Sequence, residues 1–142
     1  MRDARPSAPS RSQREGTILI VDDIGSSGAT LELALSGLPG MQVQCVSSAS
    51  EALRTLQAQS EVISAVVTDI RMPAMDGFDL IRLIRSDRAT CSIPIIVVTG
   101  DTDPETPERT LRLGANAFFA KPFSPAAVRK AMENLLYGTD QN

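Results

Sequence analysis

Three carboxylates, one hydroxyl and one ammonium stand where they could act together: Asp22, Asp23, Asp69, Thr99 and Lys121. They close four short apolar runs: TILIV before the pair Asp22-Asp23, AVVT before Asp69, PIIVV before Thr99 and AFFA before Lys121. Such runs, bounded by Pro and Gly, predict buried strands. In an open α/β sheet the site lies beyond the carboxyl ends of the strands. A lone strand-end aspartate more often caps the helix after it. Convergence changes that reading, because three carboxylates held together are costly unless a cation intervenes. The chain has no histidine, and its two cysteines, Cys45 and Cys91, lie far apart. The donors are therefore hard oxygens, which suit Mg²⁺ or Mn²⁺. Lysine is a point-charge partner for phosphate oxygens, and threonine a short hydroxyl donor. The set predicts metal-assisted phosphoryl chemistry with a carboxylate as acceptor.

Periodicity supplies the elements that must hold these groups. Strands are predicted at Thr17–Val21, Met41–Val46, Ile63–Thr68, Pro94–Thr99 and Ala117–Ala120. Leu31, Ala34, Leu35 and Leu38 predict a first helix that stops near Pro39-Gly40. Ser48 and Glu51 form a capping box for a second helix through Gln59. A third begins near Phe78, with Leu80, Leu83 and Ile84 inward, and frays over Ser86–Thr90. A fourth covers Glu105–Leu113 and stops at Gly114. Ser124 and Pro125 start a fifth that reaches Tyr137, with Gly138 as its stop. Strands alternating with helices call for the α/β class: a doubly wound five-stranded parallel sheet with five helices.

Composition agrees with one globular domain. The chain has 142 residues, 42% hydrophobic and 22% charged. Four arginines against Asp3 and Glu15 give the stretch before Thr17 a surplus of +2, within a net charge of −3. Residues 1–16 are expected to be a flexible basic tail, 17–137 the folded domain and 138–142 a short tail. No basic cluster marks a nucleic-acid face, so no direct nucleic-acid binding is expected. No apolar stretch reaches spanning length and no signal-peptide core is present, so a cytoplasmic protein without membrane contact is expected.

The motifs VDD at 21–23, D-x-x-M-P-x-M-D-G at 69–77, VVTG at 97–100 and GANAFFAKPF at 114–123 resemble those of the CheY-like receiver domain of two-component response regulators. The resemblance spans Thr17–Tyr137. It implies a flavodoxin-like sheet of order 2-1-3-4-5. It also implies that Asp69 is the phospho-acceptor, with Asp22, Asp23, Asp69 and the backbone carbonyl of Arg71 around Mg²⁺ (or Mn²⁺). Thr99 and Lys121 would bind the phosphoryl oxygens, and the Lys121-Pro122 peptide is expected to be cis. The donor would be a histidine kinase or a histidine phosphotransfer protein. Phosphorylation and dephosphorylation would be slow and self-catalysed, so the chain is not expected to be an enzyme.

By the same resemblance Thr99 and Phe118 would be switch residues, repacking a face made of helix four, strand five and helix five. That face would dock an unidentified protein target, and it allows a homodimer. Phe118 lacks the hydroxyl many relatives carry, and Phe119 beside it must point to the other side of the sheet. Arg71 and Asp101 would flank the path of attacking water and tune the lifetime of the acyl phosphate. Gly100 would leave room for the donor.

Two features depart from the pattern. The loop after Asp23 reads IGSSGATL, and ILIVDDIGSSGATL also resembles the ribose-phosphate loop of type I phosphoribosyltransferases. That reading has only 17 residues before Ile18 to hold a base site, and it gives Asp69, Thr99 and Lys121 no work. Flavodoxin-like FMN binding would use the same loop, but a carboxylate-lined edge opposes an anionic flavin phosphate. The TGDTDP segment at 99–104 is similar to receivers fused to hybrid histidine kinases, so a fragment of such a kinase is a second expectation beside a free-standing protein. A purely structural module is disfavoured by the intact acidic set.

Overall fold

A computed structural model of the chain describes residues 15–23 and 28–138. The expected tails fall outside these residues, save Glu15, Gly16 and Gly138, as does most of the Gly25–Gly28 loop. The element order is β1 (Gly16–Val21), α1 (Gly28–Leu35), β2 (Met41–Val46), α2 (Ala49–Gln59), β3 (Ile63–Thr68), α3 (Gly77–Ser86), β4 (Ile95–Thr99), α4 (Thr106–Leu113), β5 (Ala117–Ala120) and α5 (Pro125–Tyr137). The five strands form one parallel sheet in the order β2-β1-β3-β4-β5.

Strand alternation divides the core into two layers. Leu19, Val21, Val66 and Val97 face α2 and α3 and pack with Leu56, Leu80, Ile81 and Ile84. Ile18, Ile20, Val67, Ile96 and Val98 face α1 and α5 and pack with Leu31, Leu35, Val128 and Met132. Ile18, Leu19, Ile20, Ile95 and Ile96 are fully buried, so the central strands are apolar on both faces. Each such side chain contributes about 1.5–3 kcal/mol.

Register carries the strand ends to one edge. Val21 pairs with Val46 and with Thr68, Thr68 pairs with Val97, and Thr99 pairs with Ala120. The ladder runs one residue further on two strands: the Asp22 N–H donates to the Val46 carbonyl at 3.1 Å, and the Asp69 N–H to the Val21 carbonyl at 3.2 Å. Asp22 and Asp69 are thus held side by side by backbone hydrogen bonds rather than left on loose loops.

The helices depart from expectation at four points. α1 ends at Leu35 rather than near Pro39, since Gly37 takes φ 83 and turns the chain; Leu38 still reaches the core from that turn. Leu83 is 42% exposed, and Ile81 takes the inward place assigned to it. In the capping box Ser48 Oγ accepts the Glu51 N–H at 3.0 Å, but Glu51 Oε1 accepts from the Ser47 N–H at 3.1 Å, one residue before the predicted donor. α3 starts at Gly77, capped by Asp76 Oδ1 accepting the Asp79 N–H at 2.9 Å, and ends at Ser86 without fraying through Thr90. There the Thr90 hydroxyl donates to the Ile84 carbonyl at 2.7 Å.

α5 is bound tightly to α1. Arg129 Nη1 donates to the carbonyls of Ala34 and Ser36 at 2.8 and 2.7 Å, and the Tyr137 hydroxyl to that of Pro39 at 2.7 Å. A basic side chain thereby satisfies the orphan carbonyls where α1 ends. α4 is different. Its buried residues are Thr106 and Thr110, and Leu111 is 48% exposed.

Candidate functional site

Asp22, Asp23, Asp69, Arg71, Thr99, Gly100, Asp101, Thr102 and Lys121 line one open pocket of about 420 Å³ at the carboxyl end of the sheet. Every residue singled out for chemistry from the sequence lies in it. Phe118 does not.

Asp69 sits one residue past β3, and both its oxygens are engaged. Oδ1 accepts the Ile70 N–H at 2.6 Å and the Arg71 N–H at 3.3 Å. Oδ2 accepts from Lys121 Nζ at 2.9 Å. The carboxylate is 12% exposed and the lysine side chain 23%, and both line the pocket. The backbone of Lys121 is itself positioned, its N–H donating to the Thr99 carbonyl at 2.8 Å, and the Lys121-Pro122 peptide is cis.

Thr99 is buried, and its hydroxyl oxygen accepts the Asp101 N–H at 3.2 Å. The hydroxyl hydrogen is left to donate. Asp22 is nearly buried and Asp23 half-buried. Among the described residues no group of three or more His, Cys, Asp or Glu side chains stands close enough to form a metal cage. Lys121 on Asp69 Oδ2 at 2.9 Å offsets part of the carboxylate charge at this edge. The donors still fit Mg²⁺, which takes one or two carboxylates and keeps several waters.

Arg71 lies across the mouth. Its Nε is 3.3 Å from Asp101 Oδ2 and its Nη2 3.4 Å from Oδ1, with the arginine side chain 74% exposed and the aspartate 5%. Asp101 is saturated with partners, its Oδ1 also accepting the Asp103 N–H at 3.0 Å and its Oδ2 the Thr106 hydroxyl at 3.0 Å. The Asp103 amide, and after it the Thr106 hydroxyl and Arg71, hold the Asp101 carboxyl below the usual carboxylate range, against burial that raises it. Thr106 carries no motif signal. Its pairing with Thr110 on the inner face of a short polar helix was the readable hint.

A Cβ on Gly100 would lie 3.9 Å from the Lys121 side chain, an ordinary contact, so packing does not demand glycine there. Gly77 is demanded: its Cβ would come 2.4 Å from the Asp69 carbonyl oxygen. Phe118 is half-buried against the α2/α3 layer and Phe119 against the α1/α5 layer, on opposite faces of β5.

This arrangement can do one kind of chemistry well. It presents a positioned carboxylate, a cation beside it and a buried hydroxyl, with two further carboxylates on the same rim. A family model for the response regulator receiver domain matches residues 18–133. The chain belongs to that family. As a receiver domain it is similar to the chemotaxis protein CheY1 of Helicobacter pylori, at 31% identity over 87% of this chain and 98% of that protein. Among solved structures it is similar to a response regulator receiver protein from Pseudomonas putida, with a TM-score of 0.76, 32% identity, and 84% of this chain and 97% of that one covered. It is also similar to the receiver domain of a signal transduction histidine kinase from Syntrophus aciditrophicus, with a TM-score of 0.76, 31% identity, and 89% and 94% covered.

The receiver domain is thus a phospho-acceptor module of two-component signalling, not a member of a conventional enzyme family. Receiver domains take their phosphoryl group from histidine kinases and bind Mg²⁺ at an acidic pocket. Membership across residues 18–133 displaces the phosphoribosyl and flavin readings of the IGSSGATL loop, of which residues 24–27 lie outside the described residues. No helix among the described residues is long and apolar enough to cross a membrane.

Proposed function

We propose that Asp69 is the phospho-acceptor of this receiver domain. An Asp69 carboxylate oxygen attacks the phosphorus of an N-phosphohistidine presented by a histidine kinase or a histidine phosphotransfer protein. The P–O bond forms as the P–N bond breaks, and the imidazole leaves with the electron pair. Lys121, on the Asp69 carboxylate at 2.9 Å, is placed to follow the negative charge onto the phosphoryl oxygens. The Thr99 hydroxyl donates to one of those oxygens. Asp22 and Asp23, with Asp69 and the Arg71 carbonyl, would hold Mg²⁺, which when bound screens the charge building on the transferred group. Water attacking phosphorus later returns the carboxylate and releases inorganic phosphate, a slow self-catalysed step.

The observation that carries this reading is the convergence of Asp22, Asp23, Asp69, Thr99 and Lys121 on one pocket, with the lysine already on the aspartate. In the switch, Thr99 turns to the phosphoryl group, Phe118 moves inward behind it, and the face of α4, β5 and α5 repacks for a protein target or a second copy.

Beryllofluoride titration with and without Mg²⁺ tests the reading. The wild type is expected to show a saturable, Mg²⁺-dependent response that Asp69→Asn abolishes. An equal response in both proteins overturns it.

A further inference from the structure

α4 is held to the domain in an unusual way. α3 buries Phe78, Leu80, Ile81 and Ile84, whereas the buried residues of α4 are two threonines. Its N-cap residue Glu105 makes no capping side-chain hydrogen bond. Apolar burial therefore fixes α4 only at its C-terminal end, through half-buried Leu113, and polar handles hold the rest. Arg109 lies over the Phe78 ring at 3.7 Å from its centroid. Thr106, 3% exposed at the first position of the helix, gives its hydroxyl to Asp101 Oδ2 at 3.0 Å.

That second handle reaches directly into the pocket. The Asp101 N–H is bound to the Thr99 hydroxyl, and its carboxylate also meets Arg71. Two hydrogen bonds, Thr99 to Asp101 and Asp101 to Thr106, thus connect the hydroxyl proposed to bind the phosphoryl group with the start of α4. The carboxylate is nearly buried, so the second bond is sheltered from water.

We propose that Asp101 is a positioning residue that couples the occupancy of the phosphoryl pocket to α4 through its hydrogen bond with Thr106. The inference rests on the phospho-acceptor reading. When Thr99 turns toward the phosphoryl group, Asp101 moves with it and carries the start of α4 along. Binding must then move α4 as well as fill the pocket, and the coupling is reciprocal.

Thr106→Val keeps the side-chain shape and removes the hydroxyl. Beryllofluoride with Mg²⁺ is titrated while amide resonances are followed at Ile70, beside the proposed acceptor, and at Glu108 and Arg109 in the first half of α4. In the wild type both sets are expected to shift together. In Thr106→Val the Ile70 shift should persist, the α4 shifts should fall by more than half, and beryllofluoride should bind at least about fivefold more tightly, because α4 need no longer move. Thr106→Ser should restore wild-type behaviour in both. A residue that only stabilises the fold would lower the melting temperature and leave the affinity and the α4 response unchanged. That result overturns the proposal, as does a wild type whose pocket responds without α4. A wild type with no Mg²⁺-dependent response anywhere overturns the phospho-acceptor reading and this inference together. Should the valine variant not fold, Thr106→Ala carries the same comparison.

Discussion

Lys121 Nζ lies 2.9 Å from Asp69 Oδ2, so the site's cation and the proposed acceptor share a direct hydrogen bond. Lys121 and a divalent metal therefore compete for the charge of Asp69. Replacing Lys121 by Ala should strengthen Mg²⁺ binding about tenfold, or about 1.4 kcal/mol, by removing a like charge from the rim. The same variant should lose most beryllofluoride uptake. Calorimetric Mg²⁺ titration checks the first effect, and weaker Mg²⁺ binding in the variant would rule out the competition.

Arg71 and Asp101 close the mouth of the pocket, and the arginine side chain is 74% exposed. An ion pair so open contributes less than about 1 kcal/mol to stability. Arg71→Ala should hardly move the unfolding midpoint, yet it should shorten the lifetime of the Asp69 acyl phosphate severalfold by uncovering the path of water. Decay of phosphoprotein after acetyl phosphate is removed gives the rate. Unchanged or slower decay would end the shielding account.

Gly77 touches the acceptor loop through backbone alone. Its N–H donates to the Ile70 carbonyl at 2.9 Å, and an added Cβ would meet the Asp69 carbonyl oxygen at 2.4 Å and the Ile70 Cα at 2.8 Å. Neither neighbour is a side chain that can swing away. Gly77→Ala is expected to destabilise the domain by more than about 2 kcal/mol and to displace Asp69. Urea unfolding measures the first effect, and a loss under about 0.5 kcal/mol would show that the loop yields.

Tyr137 is the chain's one tyrosine, and there is no tryptophan, so its phenolate absorbance can be followed without overlap. Burial first, then Glu133, pushes its pKa above the usual value, with Arg129 opposing. A folded pKa raised above the unfolded one means stability is fully present below about pH 10 and is lost as pH rises through the higher folded value. Tyr137→Phe should cost about 1 kcal/mol at neutral pH, for the bond to the Pro39 carbonyl, and should flatten that alkaline loss. A native phenol that titrates at or below its unfolded value would contradict this.

The strands were legible because apolar runs buried on both faces leave little room for another reading, and Asp22, Asp23, Asp69, Thr99 and Lys121 followed from where those runs end. Helix limits were less legible. Leu31, Leu35 and Leu38 share helical spacing, yet Gly37 turns the chain so that Leu38 is buried from outside the helix. Leu83 and Ile81 differ by half a turn, and only the packing of α3 on the sheet selects Ile81. The Lys121–Asp69 pair spans 52 residues, and the Asp101–Thr106 bond depends on how the loop after β4 folds back. Such pairings rest on tertiary geometry, to which local periodicity is blind.

One contact at the far edge of the sheet bears on how α4 can move. Arg85 Nε and Nη2 donate to the Gly114 carbonyl at 3.0 and 2.8 Å, and Nη1 to those of Cys91 and Ile93 at 3.0 and 2.7 Å. The guanidinium thus rivets Gly114, the C-cap of α4, to the segment leading into β4. A rod fixed at one end swings. α4 is a lever of eight residues, about 12 Å long, with its pivot at Gly114. Travel is greatest at Thr106 and Pro107 and vanishes toward Leu113, so a small displacement at the pocket is delivered at the tip of the arm, beside Asp101.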